Sequence, residues 1–382
     1  MKPDPVPSAL FRRNRSKLAA LMARGSLVLI RSGDVKSRSG DQYYPFRQHS
    51  DFFYLTGIMQ EAYLFAFFPD HPDPDFRELL FIRRSTPKSE LWTGPLPGLE
   101  EVQGLSGISH VRWLAEKDAI LEVLLKDTTM VYCDQDLREL AEVNRMPLAP
   151  LMERLRMIKE AEEIDQIKNA ISITRSAFLE VLGKAEPGVW EYQLEAEIIA
   201  AFIKNGAAGH AYDPIVASGK NALILHYIKN SSQCQDGALL LMDFGAEVNN
   251  YAADCSRTIP VNGRFTPRQR ELYEAVLRVF RQARDMMVPG TVLDDFHEQV
   301  GKLGKRSTLL LVSTPGKMQR GHPTRIHSGR TITCTALPTP SDWMCMIPLT
   351  VPGPLNREWC SPVSQPSIFR KSRRVSGWRT TS

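Results

Sequence analysis

The sequence predicts an α/β protein of two units followed by a segment of a different kind. Three observations carry this. Helical spacing and short apolar strand-like runs alternate along residues 1–300. A proline-bounded break falls at Pro147–Pro150. Beyond about residue 300 neither periodicity persists. The expected organisation is therefore an α/β domain over 1–150, a second α/β unit over 151–300, and a tail over 301–382.

The elements follow in order. Ser8 to Arg24 reads as an amphipathic helix, with Leu10, Phe11, Leu18 and Leu21 on one side and Gly25 as its stop. Leu27–Ile30, Leu79–Ile82 and Met130–Cys133 read as buried strands, short apolar runs of the length a strand needs. Leu151 to Lys184 reads as one long helical segment ending near Pro187 and Gly188. Glu191 to Asn205 is a second helix, with Leu194, Ile198 and Phe202 at helical spacing. Thr266 opens a third helix: it serves as N-cap, Pro267 occupies the first helical position, and Gln269 completes a capping box. Its expected apolar face is Leu272, Val276, Phe280, Ala283 and Met287.

Composition removes several function classes. No run of eighteen apolar residues occurs, so no membrane span is expected. The opening residues lack an apolar stretch of signal-peptide type, and the six cysteines are scattered without a C-x-x-C. A cytoplasmic location with free thiols is expected. The net charge of +5 arises in the tail, where 13 Lys and Arg face two acids, Asp342 and Glu358. The body is net acidic and carries no nucleic-acid footprint.

The most informative stretch runs from Leu239 to Thr258. Two strand-like runs flank Asn249–Asn250, a good two-residue turn. With that turn as the tip, Val248 faces Tyr251 and Gly245 faces Asp254. Asp243 and Asp254 then point to one face as diagonal neighbours, roughly 7–8 Å apart by backbone. Two carboxylates facing one space repel unless a proton or cation lies between them, and oxygen-loving divalent metals suit that geometry. A hairpin with one turn-facing Asp and one Asp paired to Arg257 fits the spacing as well. His226 ends an apolar run and reads either as a core histidine or as a functional one. His210 is a weaker candidate of the same sort.

The stretch Ala211–Tyr227, with the hairpin and Thr258–Gly263, resembles the Xaa-Pro aminopeptidase family (aminopeptidase P) of pita-bread metallopeptidases. Tyr44–Gly57, Glu90–Pro95 and Arg154–Ile164 are similar to further segments of that family. The resemblance covers about residues 10 to 300. It implies an N-terminal α/β domain and a pita-bread catalytic domain, here incomplete. It also implies release of an N-terminal residue when proline is second. Two divalent ions, usually manganese, would be held by two Asp, one His and two Glu and would supply an activated hydroxide. Asp243 and Asp254 are the implied metal ligands, and His226 the implied catalytic, substrate-side histidine. Trp92 is an implied substrate contact, because in relatives the tryptophan loop reaches a neighbouring subunit. Peptide substrates and a homo-oligomer are implied in the same way. Prolidase-like dipeptide hydrolysis and a non-catalytic binding role on the same scaffold are the alternatives.

The chain departs from the family after the helix that Thr266 opens. The family's remaining ligands lie in H-x-x-S-H-x-L-G-x-D-V-H-D, E-P-G and R-x-E-D-D, and none of these occurs here. Reading from the third base of each codon permits counterparts of all three in order, except that Ala or Thr replaces the Gly of E-P-G. Asp342 through Ile347 force Leu-Asp-Val-(His or Tyr)-Asp, because Trp and Met have one codon each. Cys334 with Thr335 forces His or Tyr at the correct spacing upstream. Glu358 to Arg370 permits an E-P-A segment, and Arg374 to Thr381 permits R-M-E-D-D. A change of reading frame is therefore expected near Val300–Leu303, leaving 301–382 as an out-of-frame, disordered tail. The chain as written would then be inactive.

Overall fold

The computed structural model describes residues 3–134 and 144–313. The chain divides into two compact units, Asp4–Ile164 and the part from Asp165 onward.

The first unit contains, in chain order, α1 (Ser8–Ala19), β1 (Ser26–Arg31), β2 (Ser37–Ser39), β3 (Gln42–Tyr43), α2 (Ser50–Thr56), β4 (Leu64–Phe67), β5 (Glu78–Ile82), α3 (Pro87–Thr93), α4 (Leu99–Ser106), β6 (His110–Trp113), α5 (Lys117–Asp127), β7 (Met130–Tyr132), β8 (Arg145–Met146) and α6 (Ala149–Arg156). Six strands make a mixed sheet in the order β6-β5-β4-β1-β7-β8, and β2 and β3 form a separate hairpin. Alternate side chains serve two cores. Val28, Ile30, Phe65, Leu80 and Ile82 pack against α2, α4 and α6, whereas Leu27, Leu29, Leu64, Leu79 and Phe81 pack against α5. Burial on both faces is why these strands read as unbroken apolar runs rather than as alternation. Arg15 is fully buried, and burial lowers its pKa against the opposing pull of Glu78; it donates to the carbonyls of Leu55 and Ser106 and pairs with Glu78 at 3.0 Å.

One expectation needs correction here. Pro150, at the end of the proline-bounded break, lies in the first turn of α6, where a missing N–H costs nothing. The single long helix expected over Leu151–Lys184 is two, α6 and then α7 (Ala161–Leu182), with a break at Met157–Glu160. At the break Glu163 turns back to accept the Glu160 N–H at 2.8 Å, as a helix start requires.

The second unit continues with α8 (Glu191–Lys204), β9 (Gly209–His210), β10 (Ile215–Ser218), β11 (Leu239–Phe244), β12 (Ala246–Val248), β13 (Tyr251–Ala252), β14 (Cys255–Pro260), α9 (Pro267–Met286) and α10 (Leu293–Ser313). Its antiparallel sheet has the order β10-β11-β14, with a second set β13-β12-β9. Leu240, Met242 and Phe244 point to one face and are buried with Phe178 of α7 and Leu194, Ile198 and Phe202 of α8. Leu241 and Asp243 point to the other.

The capping box of α9 is present: the Thr266 hydroxyl accepts from Gln269 N–H at 3.2 Å, and the Gln269 side chain accepts from Thr266 N–H at 2.9 Å. The apolar stripe expected on α9 is only half-buried, and Leu272 is exposed. Tyr273, Ala275 and Leu277 are the buried residues. On α9 the Ala275 carbonyl accepts from the Ser307 hydroxyl of α10 at 3.5 Å. That helix extends to Ser313, so the first part of the expected tail is helical, and 314–382 lie outside the described residues.

Candidate active site

The hairpin from β11 to β14 holds one register throughout. Val248 pairs with Tyr251, Glu247 with Ala252, Phe244 with Cys255 and Asp243 with Ser256. Asn249 and Asn250 both adopt positive φ, 47° and 66°, as the two-residue turn demands. Gly245 sits opposite the crossing where Ala253 and Asp254 leave the ladder. A Cβ there would lie 1.7 Å from the Ala253 carbonyl oxygen, so only glycine fits.

This register puts Asp243 and Asp254 on one face, and Tyr212 shows that they converge. Its hydroxyl faces Asp243 Oδ1 at 2.6 Å and Asp254 Oδ1 at 3.0 Å. Both carboxylates therefore reach a single atom. Asp243 is 9% exposed, whereas Asp254 is exposed to solvent. Burial, then the two carboxylate charges, pushes the Tyr212 phenol far above its ordinary range, so it remains a donor.

His226 occupies an exposed turn between β10 and β11, and among the described residues no hydrogen bond joins it to either carboxylate. His210 is exposed on β9, paired through its backbone with Ala246. Trp92, on α3 of the first unit, is 75% exposed beside the more exposed Leu91. Tyr212 is the residue that sequence reasoning passed over. A tyrosine just before the buried strand β10, in a stretch already singled out, was the available signal.

The described residues do not complete a metal centre. Among them no group of three or more His, Cys, Asp or Glu is placed to hold an ion. Two carboxylates, one of them open to water, do not fit a pair of tightly held divalent ions, which take several oxygen or nitrogen ligands each. We derive no step through a metal. What the present residues do is hold two negative groups against one proton donor. Among the described residues no helix is long and apolar enough to cross a membrane.

Comparison with known proteins fits this geometry. Residues 11–132 match the family model described as "Aminopeptidase P, N-terminal domain", and residues 165–332 match "Metallopeptidase family M24". The second match runs past Val300–Leu303, where the change of frame was expected. The chain is 35% identical to an Escherichia coli Xaa-Pro aminopeptidase over 303 residues, covering 74% of this chain and 68% of that protein. It is 32% identical to human Xaa-Pro aminopeptidase 3, covering 77% and 63%. Among solved structures, Pseudomonas aeruginosa aminopeptidase PepP superposes with a TM-score of 0.76 at 31% identity, covering 81% of this chain and 75% of that one. Escherichia coli aminopeptidase P, solved as a glutamate-to-alanine variant in complex with substrate, gives 0.75 at 31%, covering 80% and 74%. A pita-bread metallopeptidase is the class this fold and these relatives define. The chain belongs to metallopeptidase family M24, in its Xaa-Pro aminopeptidase branch.

Proposed function

We propose that this chain derives from an aminopeptidase that releases the N-terminal residue from peptides with proline second, and that as written it is inactive. The observation that carries the reading is the convergence of Asp243 and Asp254 on the Tyr212 hydroxyl. In the complete enzyme the two facing carboxylates would be part of a larger ligand set for hard divalent cations, for which we propose manganese. The His and both Glu ligands that the resemblance implies are missing from the residues as they stand, and the forced codon overlaps at Asp342–Ile347 return the histidine segment in another register. In the complete enzyme His226 and Trp92 would face the peptide, and the protein would be a cytoplasmic homo-oligomer. The relatives favour neither a prolidase-like dipeptidase nor a non-catalytic binding role.

The test is genetic and then biochemical. Inserting one base, or deleting two, near the codons for Val300–Leu303 should open a frame that encodes the three missing segments. The repaired protein should release the first residue of Xaa-Pro peptides with manganese present. The chain as written should bind manganese only at micromolar levels or weaker and release nothing, since lost ligands remove most of the affinity. Two tight manganese sites on the unrepaired chain, or a repaired protein that folds and takes up metal yet ignores Xaa-Pro peptides, would end this reading.

A further inference from the structure

We propose that Glu191 is the positioning residue for His226, fixing the loop that carries it against the sheet face that bears Asp243. The inference rests on the reading of His226 as a substrate-side group.

Glu191, the first residue of α8, is fully buried. Its Oε1 accepts from the Ser218 N–H at 2.7 Å and from Asn221 Nδ2 at 2.9 Å. Its Oε2 accepts from the Tyr227 hydroxyl and the Ser232 N–H, both at 2.8 Å. All four donors belong to one stretch of chain, from the end of β10 to Ser232. Asn221 Nδ2 also lies 2.9 Å from the Tyr227 hydroxyl and from Ser232 Oγ, so the donors are tied to one another. Asn230, fully buried with φ at 44°, adds a second clamp. Its Oδ1 accepts from Val216 N–H, and its Nδ2 donates to the Pro214 carbonyl and to Glu195.

Between these clamps the chain turns outward. Leu223, Ile224, Leu225, His226 and Ile228 are exposed, so no packing of their own holds them. Tyr227 alone turns inward. Its ring is buried with Ile215, Ala217 and Leu241. Ile215 pairs with Asp243 and Ala217 with Leu241 across the β10–β11 ladder, so these residues share the Asp243 face. His226 is thus covalently next to a ring lying on that face, and the ring's hydroxyl is held by Glu191. An apolar residue at 191 could fill the same volume. It could not fix four donors at once, and an exposed loop without internal packing has little else to define one conformation.

The experiment uses the full chain with labelled histidine. The eight histidine signals are sorted by a His226→Gln variant. In Glu191→Gln one acceptor becomes a donor facing N–H groups that need an acceptor. The Ser232 amide should then exchange with solvent at least about tenfold faster, the scale of losing a hydrogen bond to a charged group. The His226 signal should lose its single resolved position and move toward the value of an unstructured peptide. Tyr227→Phe keeps the ring and removes one donor; it should move the same signal by less, and it stands as the readout if Glu191→Gln does not fold. A His226 signal unchanged in either folded variant, with only overall stability reduced, would make Glu191 a structural strut and overturn the proposal. Neither metal nor peptide enters these measurements. Inactivity of the frame-repaired enzyme would therefore sink the functional reading and leave this result standing.

Discussion

Replacing Tyr212 with Phe removes one oxygen and leaves the ring. The two contacts of that hydroxyl are not equal. It has a single proton to share between Asp243 Oδ1 at 2.6 Å and Asp254 Oδ1 at 3.0 Å. Asp243 is buried and cannot replace the lost donor with bulk water, whereas Asp254 is exposed and can. A hydrogen bond to a charged group contributes about 1.5–3 kcal/mol where water is excluded, and an exposed one less than about 1 kcal/mol. The expected cost of Tyr212→Phe is therefore about 1.5–3 kcal/mol, carried almost wholly by Asp243. The measurement is denaturant unfolding followed by circular dichroism, repeated in an Asp254→Asn background. The cost should persist there within about 0.5 kcal/mol. A loss below about 0.5 kcal/mol in the original background would show that the hydroxyl does not hold the buried carboxylate. A cost that vanishes with Asp254→Asn would show that the exposed partner carries it, reversing the argument.

Gly245→Ala should cost about 3 kcal/mol or more, since the new methyl meets backbone 1.7 Å away rather than a side chain that can turn aside. A variant that unfolds within about 1 kcal/mol of the parent would disprove the close crossing. Alkali should destabilise the protein through its buried tyrosines. Burial pushes Tyr63 up to about 12, and Tyr54 and Tyr273 are raised by the same cause. An unfolded phenol titrates near about 10, so these groups leave stability intact below that pH. Above it, stability falls by about 1.4 kcal/mol per pH unit for each phenol the fold keeps protonated. The check is tyrosinate absorbance against pH with unfolding followed in parallel; ionisation of these tyrosines in the folded protein at about pH 10 would refute it.

Local signals were legible in the sequence, and long-range ones were not. The β11–β14 register could be read because a two-residue Asn turn and the period-2 geometry of strands fix it without any distant contact. The α9 capping box was legible for the same reason. The central strand β4, Leu64–Phe67, was not singled out, because four apolar residues fit a strand or a buried helix equally well. The α6–α7 break was hidden within a run of good helix formers. Tyr212 was missed because its partners lie 31 and 42 residues away, and no periodicity reports such a contact. The exposure of Asp254 was beyond reach for a related reason: parity gives the face a side chain takes, not what covers that face.

The same distinction bears on what a change of frame does to such an enzyme. The carboxylate pair depends on a hairpin, the turn at its tip and one tyrosine, all within about fifty residues of chain. Short loop closure makes that unit inexpensive to form. The histidine and two glutamates that the family resemblance implies for later segments would have no such independence, because each would need the chain to return from far away to the same face. A register error after Val300 would therefore spare the acidic half of the site and lose the rest together. Among the described residues β14 lies at the edge of its three-stranded sheet, and Thr258 Oγ1, Tyr273 Oη and His297 Nε2 lack partners in the parts of β14, α9 and α10 around it. Buried polar atoms are rarely left unpaired in a finished fold. On the reading proposed above, strands from a repaired segment would pair these three atoms, whereas Asn14 Oδ1 and Tyr63 Oη of the first unit, unpaired too, would stay as they are.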